Sequence, residues 1–411
     1  MGSQKGGAPL PHYHRQSYLD FLRRGKNREM VKVLTGMRGA GKTTILHTFL
    51  TELEAEGIPA RRILLLDLSD PAIQRFFPAE NLYRYIRQQC PPGEAAYIFL
   101  DEAQELPDFE KLADQLFRIP NYDLYLAGSG LAAALPRLFS ALPGRCDVKN
   151  VYPLSLQEYS TSLDHPVTAD DFLAYMNGST FPGIPSGEPV RTALDTIVSS
   201  ALFHEIMSDQ AIRYSLLMKI LTYLSPRAGD RISMADMAKS TGRAGRPLLQ
   251  KTLYAYLLKL SENGILLPTP LLHLDQKEIP PGKPEFENSY FFFPDPAMMQ
   301  LWGEGLDLPY RQLLSAAAVE MFRRFHQVWT GTTAAGAVDF VTIRSGIPTV
   351  WQCIPNPSAL YAKPKWDALR RTDKKFSRRL LTLYPEEFQK EPGLRIYHLI
   401  PWLLEEHKEA L

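Results

Sequence analysis

Gly36-Met-Arg-Gly-Ala-Gly-Lys-Thr43 follows Val31-Lys-Val-Leu-Thr35 and precedes Thr44-Ile-Leu-His-Thr-Phe-Leu50. In that order the residues read as a buried strand, a glycine-rich turn and a helix. The turn fits the pattern G-x-x-x-x-G-K-[ST] in full, in the strand-to-helix context that gives the pattern physical meaning. Its glycines let successive backbone N–H groups curl toward phosphate oxygens, and the helix N-terminus adds the positive end of its dipole. Gly36, Met37, Arg38, Gly39, Ala40, Gly41, Lys42, Thr43 and Thr44 are therefore the expected cradle of a nucleoside triphosphate, with ATP as the expected nucleotide. Lys42 is expected to reach the β- and γ-phosphates, and the Thr43 hydroxyl to hold Mg²⁺.

A chain of 411 residues exceeds one ordinary core, and its length predicts two to three domains. Hydrophobic residues at 45% and charged residues at 22% describe a globular protein rather than a disordered one. No apolar run reaches the roughly 18 residues that a membrane span needs. The N-terminus lacks a signal-peptide pattern. Cys90, Cys146 and Cys353 form no C-x-x-C pair, so neither a disulfide framework nor a zinc site is expected, and the compartment is read as a reducing cytoplasm. With a net charge of +1, any nucleic-acid role must rest on local basic patches.

Between Val31 and about Leu156, short apolar runs alternate with helical stretches, which predicts a parallel sheet with crossover helices. The strand candidates are Val31–Thr35, Ile63–Leu68, Tyr97–Leu100, Leu124–Ala127 and Val148–Val151. Ligands of such sheets sit beyond the carboxyl ends of the strands, where the glycine-rich turn lies. Residues 1–160 are read as this α/β core and residues 161–210 as a helical lid or linker. Next come an apolar helix at Tyr214–Leu224, a short capped helix at Ser233–Lys239, a turn at Thr241–Gly245, a long helix over Pro247–Asn263 and a strand from Ile265. That order predicts a winged helix-turn-helix over 211–288, with 270–288 as an exposed wing. Residues 289–411 mix helices with strands at Val338–Arg344, Thr349–Ile354, Leu380–Tyr384 and Ile396–Leu399.

Tyr97-Ile-Phe-Leu-Asp101-Glu102 delivers two acids from a strand one crossover beyond the phosphate loop. Asp101 is expected to serve the metal and Glu102 to orient and deprotonate an attacking water. The order of Thr35–Leu46, Tyr97–Gln104, Tyr125–Gly130, Gly144-Arg145 and Tyr152–Tyr159 resembles the prokaryotic AAA-type (AAA+) P-loop ATPases with a C-terminal domain of unknown function. The resemblance covers most of residues 15–405 and is strongest over the first 160. It implies that Ser129 is the sensor of the γ-phosphate or attacking water, and that Arg145 is an arginine finger reaching a neighbouring subunit. It also implies a homo-oligomer, such as a hexameric ring, and a winged helix followed by an α/β domain similar to PD-(D/E)-x-K nucleases.

Two basic regions bear on DNA. Arg243 and Arg246 precede the long helix that carries Lys251, and Lys374 and Lys375 lie in a basic run interleaved with Trp366 and Phe376. Such residues position a phosphate backbone without reading sequence. For the nuclease-like part, Glu320 and Asp339 match two of the three expected positions. The third reads Gln352-Cys353-Ile354 in place of an acid-x-Lys, so the site is expected to be degenerate, with Lys363 or Lys365 as a lysine from a neighbouring element. The leading expectation is an oligomeric, Mg²⁺-dependent ATPase motor that remodels or translocates DNA. Two alternatives stay open: an ATP-gated switch that docks a protein partner, and an ATP-dependent metal nuclease.

Overall fold

A computed structural model describes residues 13–184, 189–207, 212–243, 245–274, 286–303, 308–325, 327–334, 336–344 and 346–405. Helix α1 (Gln16–Gly25) leads into strand β1 (Val31–Thr35) and helix α2 (Lys42–Ala55). The chain continues through β2 (Ile63–Asp67), α3 (Pro71–Gln74), α4 (Ala79–Gln89), β3 (Ala96–Asp101), α5 (Phe109–Phe117), β4 (Tyr122–Gly128), α6 (Leu131–Ala141) and β5 (Cys146–Asn150). All pairings in this five-stranded sheet are parallel, in the order β2-β3-β4-β1-β5. The five strands lie where the apolar runs predicted them. Helices bury both faces, which explains why β1, β3 and β4 are buried at every position. Two charged residues inside that sheet need an explanation. Lys32 of β1 pairs with Asp123 of β4, and its ammonium lies over the Tyr125 ring. Burial holds the Lys32 pKa below its usual value, and Asp123 opposes that shift.

Helix α7 (Leu156–Ser160) ends the stretch read as core, and α8 (Ala169–Asn177) and α9 (Val190–Ala201), with a π turn over Leu202–Ile206, occupy the stretch read as a lid. Packing divides the three helices. Leu156, Phe172, Tyr175 and Met176 join the core of the C-terminal sheet. Phe181, Leu194, Val198 and Leu202 instead pack with α10 (Tyr214–Leu224), α11 (Met234–Thr241) and α12 (Gln250–Glu262). Helix α12 begins three residues later than Pro247, because Leu249 is still extended. Strands β6 (Leu267–Thr269) and β8 (Tyr290–Phe292) form an antiparallel ribbon, and Arg231 bridges to Tyr290.

Residues 270–288 are not wholly an exposed wing. Strand β7 (Leu271–His273) pairs in parallel with β9 (Val328–Thr333) and so belongs to the C-terminal sheet, while 275–285 lie outside the described residues. Packing also crosses the expected boundary at residue 289, since Phe291, Phe293 and Met298 fill the core around α10–α12. Helix α13 (Leu308–Arg324) then leads to β9, β10 (Gly336–Arg344), β11 (Ile347–Cys353), α14 (Ala362–Arg371), β12 (Ser377–Thr382), β13 (Leu394–His398) and α15 (Leu399–Leu404). The six-stranded sheet runs β13-β12-β11-β10-β9-β7. One face carries Phe340, Trp351 and Leu381 against α13 and α15; the other carries Val341, Val350 and Leu380 against α14.

Glu158 joins these parts. Its carboxylate pairs with Arg15 (Nε–Oε1 3.0 Å) and with Arg323 of α13 (Nη1–Oε2 3.5 Å), all three side chains being only 5–6% exposed. It also accepts from the Ser155 N–H at 2.9 Å, completing a capping box on α7. Arg323 donates further to the Tyr18 hydroxyl and the Pro153 carbonyl. Glu158→Ala would leave two guanidiniums buried and under-compensated. It should therefore destabilise the protein by about 3–5 kcal/mol, read as a lowered denaturant midpoint.

Candidate nucleotide site

The glycine-rich turn sits at the carboxyl end of β1. Gly36 adopts φ +138°, and a Cβ there would lie 2.1 Å from the Val151 carbonyl oxygen, so only glycine lets the loop pass β5 this closely. Gly41, at φ +93°, opens α2 in a left-handed conformation. The Lys42 ammonium donates to the carbonyls of Gly36 (2.9 Å) and Met37 (3.2 Å) and to Ser129 Oγ (3.2 Å). Burial lowers its pKa, while Glu102 and Asp101 oppose the shift.

Strand β3 delivers the two acids to this point. Thr43 Oγ1 donates to Asp101 Oδ2 at 2.6 Å. This adjacent pair of hard oxygens fits Mg²⁺, which takes one or two protein oxygens and leaves its other positions to phosphate and water. Burial raises the Asp101 pKa, with the Thr43 hydrogen bond acting the other way. Glu102 adopts a left-handed conformation, φ 47° and ψ 47°, which turns the chain sharply after the strand. Its carboxylate accepts from the Ser129 N–H (3.1 Å), Ser129 Oγ (3.1 Å) and Gln104 Nε2 (2.6 Å). Burial pushes its pKa up, but Lys42, Gln104 and the Ser129 N–H together hold it below the usual value. Lys42, Thr43, Asp101, Glu102 and Ser129 thus form one connected network.

Arg145 does not join this cluster. It precedes β5, and its carbonyl accepts from the Val31 N–H, at the opposite end of β1 from the phosphate loop. Its guanidinium, 49% exposed, pairs with Glu29 at 3.1 Å. Arg243, Arg246 and Lys251 are exposed together around the start of α12. Lys374 and Lys375 are exposed in the link from α14 to β12, whereas Phe376 is buried and Trp366 packs edge-on against Phe388.

Of the three nuclease-like positions, Asp339 and Gln352 lie side by side, whereas Glu320 is held by arginines of its own helix. Glu320 faces its own helix, with Arg324 Nε at 2.8 Å and Arg323 Nε at 3.7 Å. Asp339 accepts from the Cys353 N–H at 2.7 Å and from Lys365, while Gln352 Oε1 accepts the Asp339 N–H at 2.9 Å. Lys365 of α14, and not Lys363, supplies the lysine beside Asp339. Among the described residues no group of three or more acids, histidines or cysteines is arranged to hold a metal.

Several residues at the nucleotide site carry no motif of their own. Arg15 donates to the Ala40 carbonyl within the phosphate loop and to the Tyr152 carbonyl at 2.7 Å. Tyr13, His14, Leu19, Thr48 and Pro182 line a cavity of about 340 Å³ beside Gly41–Ile45. Glu205, in the π turn, pairs with Arg38 at 3.4 Å and is held above its usual pKa by burial and then by Glu102. Phe181 and Ile197 lie over Gly39, and Gly264 abuts the Met37 N–H. The cover loop is fixed by Asp295, which is fully buried and accepts from the Thr180 N–H (2.7 Å), Ser179 Oγ (2.9 Å), Thr180 Oγ1 (3.0 Å) and the Ala297 N–H (2.7 Å). Only Gln104 was legible locally, as the second residue after Glu102 in a tight turn.

The fold and site define a P-loop nucleotide-binding domain. The family described as the AAA domain matches residues 28–160, which supports an AAA-type ATPase domain in this part of the chain. A Haemophilus influenzae protein, described as uncharacterized, is 24% identical over 404 residues, spanning 95% of this chain and 98% of that one. Among solved structures, a Walker-type ATPase of Pyrococcus abyssi is similar over 71% of this chain and 96% of its own, at 15% identity and TM-score 0.47. The Aeropyrum pernix ORC1 protein, solved in complex with DNA, is similar over 63% of this chain and 86% of its own, at 16% identity and TM-score 0.31.

Gln104 is a positioning residue for the Glu102 carboxylate. Replacing it with leucine removes a donor that favours the charged form, so the Glu102 pKa should rise. The acidic limb of the ATPase pH profile in Gln104→Leu should then move to higher pH, with nucleotide affinity little changed.

Proposed function

We propose that the protein hydrolyses ATP with Mg²⁺ and uses the cycle to remodel or translocate DNA as a homo-oligomer. The observation that carries the hydrolytic part is the Glu102 carboxylate, held by Ser129 and Gln104 beside the Lys42 ammonium. In this reading the loop N–H groups and Lys42 bind the phosphates. Thr43 and Asp101 would hold Mg²⁺, which neutralises developing charge on the phosphate oxygens when bound. Glu102 orients the attacking water and accepts its proton, and Ser129 ties that carboxylate to Lys42 so that general base and phosphate clamp share one geometry. Glu102→Gln should retain ATP binding while lowering kcat by roughly 10²- to 10⁴-fold. ATP turnover equal to wild type in that variant would remove Glu102 from the role.

Arg145 is assigned as the finger that completes a neighbour's site. Its position at the far end of β1, over the Phe117 ring at 5.8 Å and paired with the exposed Glu29, leaves it available to another subunit, because such surface pairs contribute little. A ring, such as a hexamer, follows if each subunit donates to the next. Arg145→Ala should lower turnover by about 10³-fold. Mixing it with Glu102→Gln should restore activity, because some interfaces then join an intact Glu102 to an intact Arg145. No recovery in the mixture would overturn the inter-subunit role.

The DNA assignment draws on α10–α12 with the β6–β8 ribbon and the Arg231–Tyr290 bridge, an arrangement that suits a winged helix. Arg243, Arg246 and Lys251 would meet phosphates there, and Lys374 and Lys375 would add contacts from the nuclease-like sheet. DNA should stimulate the ATPase, and indifference to any nucleic acid would remove the motor reading. A second reading is favoured by one observation: Leu249 and Tyr254, among those cations, are 74% and 42% exposed, which suits docking a protein. In that case a pull-down would recover a protein and no DNA. For the nuclease alternative, both Asp339 oxygens are already engaged, so cleavage in Mg²⁺ or Mn²⁺ that is lost in Asp339→Ala would be needed to revive it.

A further inference from the structure

A second cleft, of about 760 Å³, lies between α1 and β5 on one side, the end of α12 on another, and α13, β9 and β10 on the third. Arg24, Lys149 and Arg344 line it against Asp147 and Glu262. Arg323 and Arg324 also line it, but their guanidiniums are committed to Glu158 and Glu320. Beyond Arg344 the same face of the C-terminal sheet continues with more arginine. The register sets Arg379 of β12 directly beside Arg395 of β13 and, on its other side, beside Trp351 of β11.

These guanidiniums lack carboxylates of their own. Arg379 lies over the Trp351 ring at 4.6 Å and the Tyr397 ring at 5.9 Å, and its Nε is buried with no hydrogen-bond partner. Burial, then Arg395 and Arg344, lower its pKa. Arg344 and Arg395 are exposed, and their side chains make no hydrogen bond or ion pair among the described residues. Glu405, an acid that acts on Arg379, is already 3.6 Å from Arg324. Arg378, one residue earlier, also has a buried Nε without a partner, but it lies on the opposite face, where its terminal nitrogens donate to the Arg370 and Pro392 carbonyls beside Glu391. Three neighbouring cations on one face repel one another, and an anion spanning them would relieve that repulsion.

We propose that Arg344, Arg379 and Arg395 form a phosphate-binding face for single-stranded nucleic acid, continuous with the cleft beside the ATPase sheet. Arg379 and Arg395 stand on adjacent strands, roughly 4.7–4.9 Å apart, and Arg344 lies across β11 from Arg379, so the three arginines can meet phosphates spread along one strand. The half-buried Phe322 and Phe325 in the cleft wall offer rings on which unstacked bases can rest. An acidic polypeptide would use the charges but not the rings. The proposal rests on the reading that the protein acts on nucleic acid, and it places the contact away from Arg243 and Arg246.

The test is fluorescence anisotropy of the full chain with labelled oligothymidylate, a duplex of equal length, and polyglutamate as competitor, over a range of salt. Arg344→Glu with Arg395→Glu should weaken single-strand binding by at least about tenfold and flatten the log–log salt slope by roughly 1.5, while the paired lysine variants bind nearly as wild type. Arg395→Glu alone, on an exposed side chain, gives the same direction if the double variant melts early. Unchanged affinity and slope in the folded charge-reversed protein, with binding lost in Arg243→Glu/Arg246→Glu, would overturn this face and leave the DNA reading standing. Equal competition by polyglutamate would replace the nucleic acid by an acidic protein. No binding by wild type at low salt would end both readings.

Discussion

A single buried carboxylate, that of Glu158, holds the two halves of the molecule in register. One guanidinium on it, from Arg15, also reaches the Ala40 carbonyl of the phosphate loop, while the other, from Arg323, comes from the first long helix of the C-terminal part. Three charges of this kind are costly to remove from water and keep their place only when each finds its partners. Tyr18 assists: its ring lies 4.6 Å from the Arg15 guanidinium, and its hydroxyl accepts from Arg323 at 3.1 Å. The phosphate loop is thus supported from below by its own sheet and from the side by a cluster that the C-terminal half completes.

The remaining contacts to the loop come from above. Gly264, at the end of α12, abuts the Met37 N–H, and Glu205 holds Arg38. Both lie on the three-helix unit or the turn leading into it, so a change in the shape of the loop has a short physical route to α12. That route is a chain of direct contacts; which states it switches between is a question of populations.

The five-stranded α/β part was readable from sequence because each of its signals is local. Apolar runs marked strands buried on both faces, and the glycines, Lys42 and Asp101-Glu102 sit at fixed positions along the chain. What was missed is long-range or very short. Arg15 and Glu158 are 143 residues apart, and Glu205 meets Arg38 across 167, so no window of sequence contains either pair. Strand β7 spans three residues in a proline-rich stretch and is ordered by pairing with β9, not by propensity. In the C-terminal sheet, alternation separates Arg378 from Arg379: one is enclosed and donates to two backbone carbonyls, the other is left among like charges. A basic run on paper becomes two unrelated faces once the strand period of two is imposed.

Asp295 gives the molecule a further property. This acid lies 115 residues beyond Thr180, yet it fixes the loop whose Phe181 and Pro182 close over the phosphate turn. The lid of the nucleotide pocket is therefore owned by the C-terminal half of the chain. Coupling free energy is reciprocal, so whatever shifts the Asp295 contacts and whatever fills the pocket would act on each other by the same factor. An excised N-terminal fragment would keep every motif residue and still lose the Asp295 hydrogen bonds that hold Ser179 and Thr180.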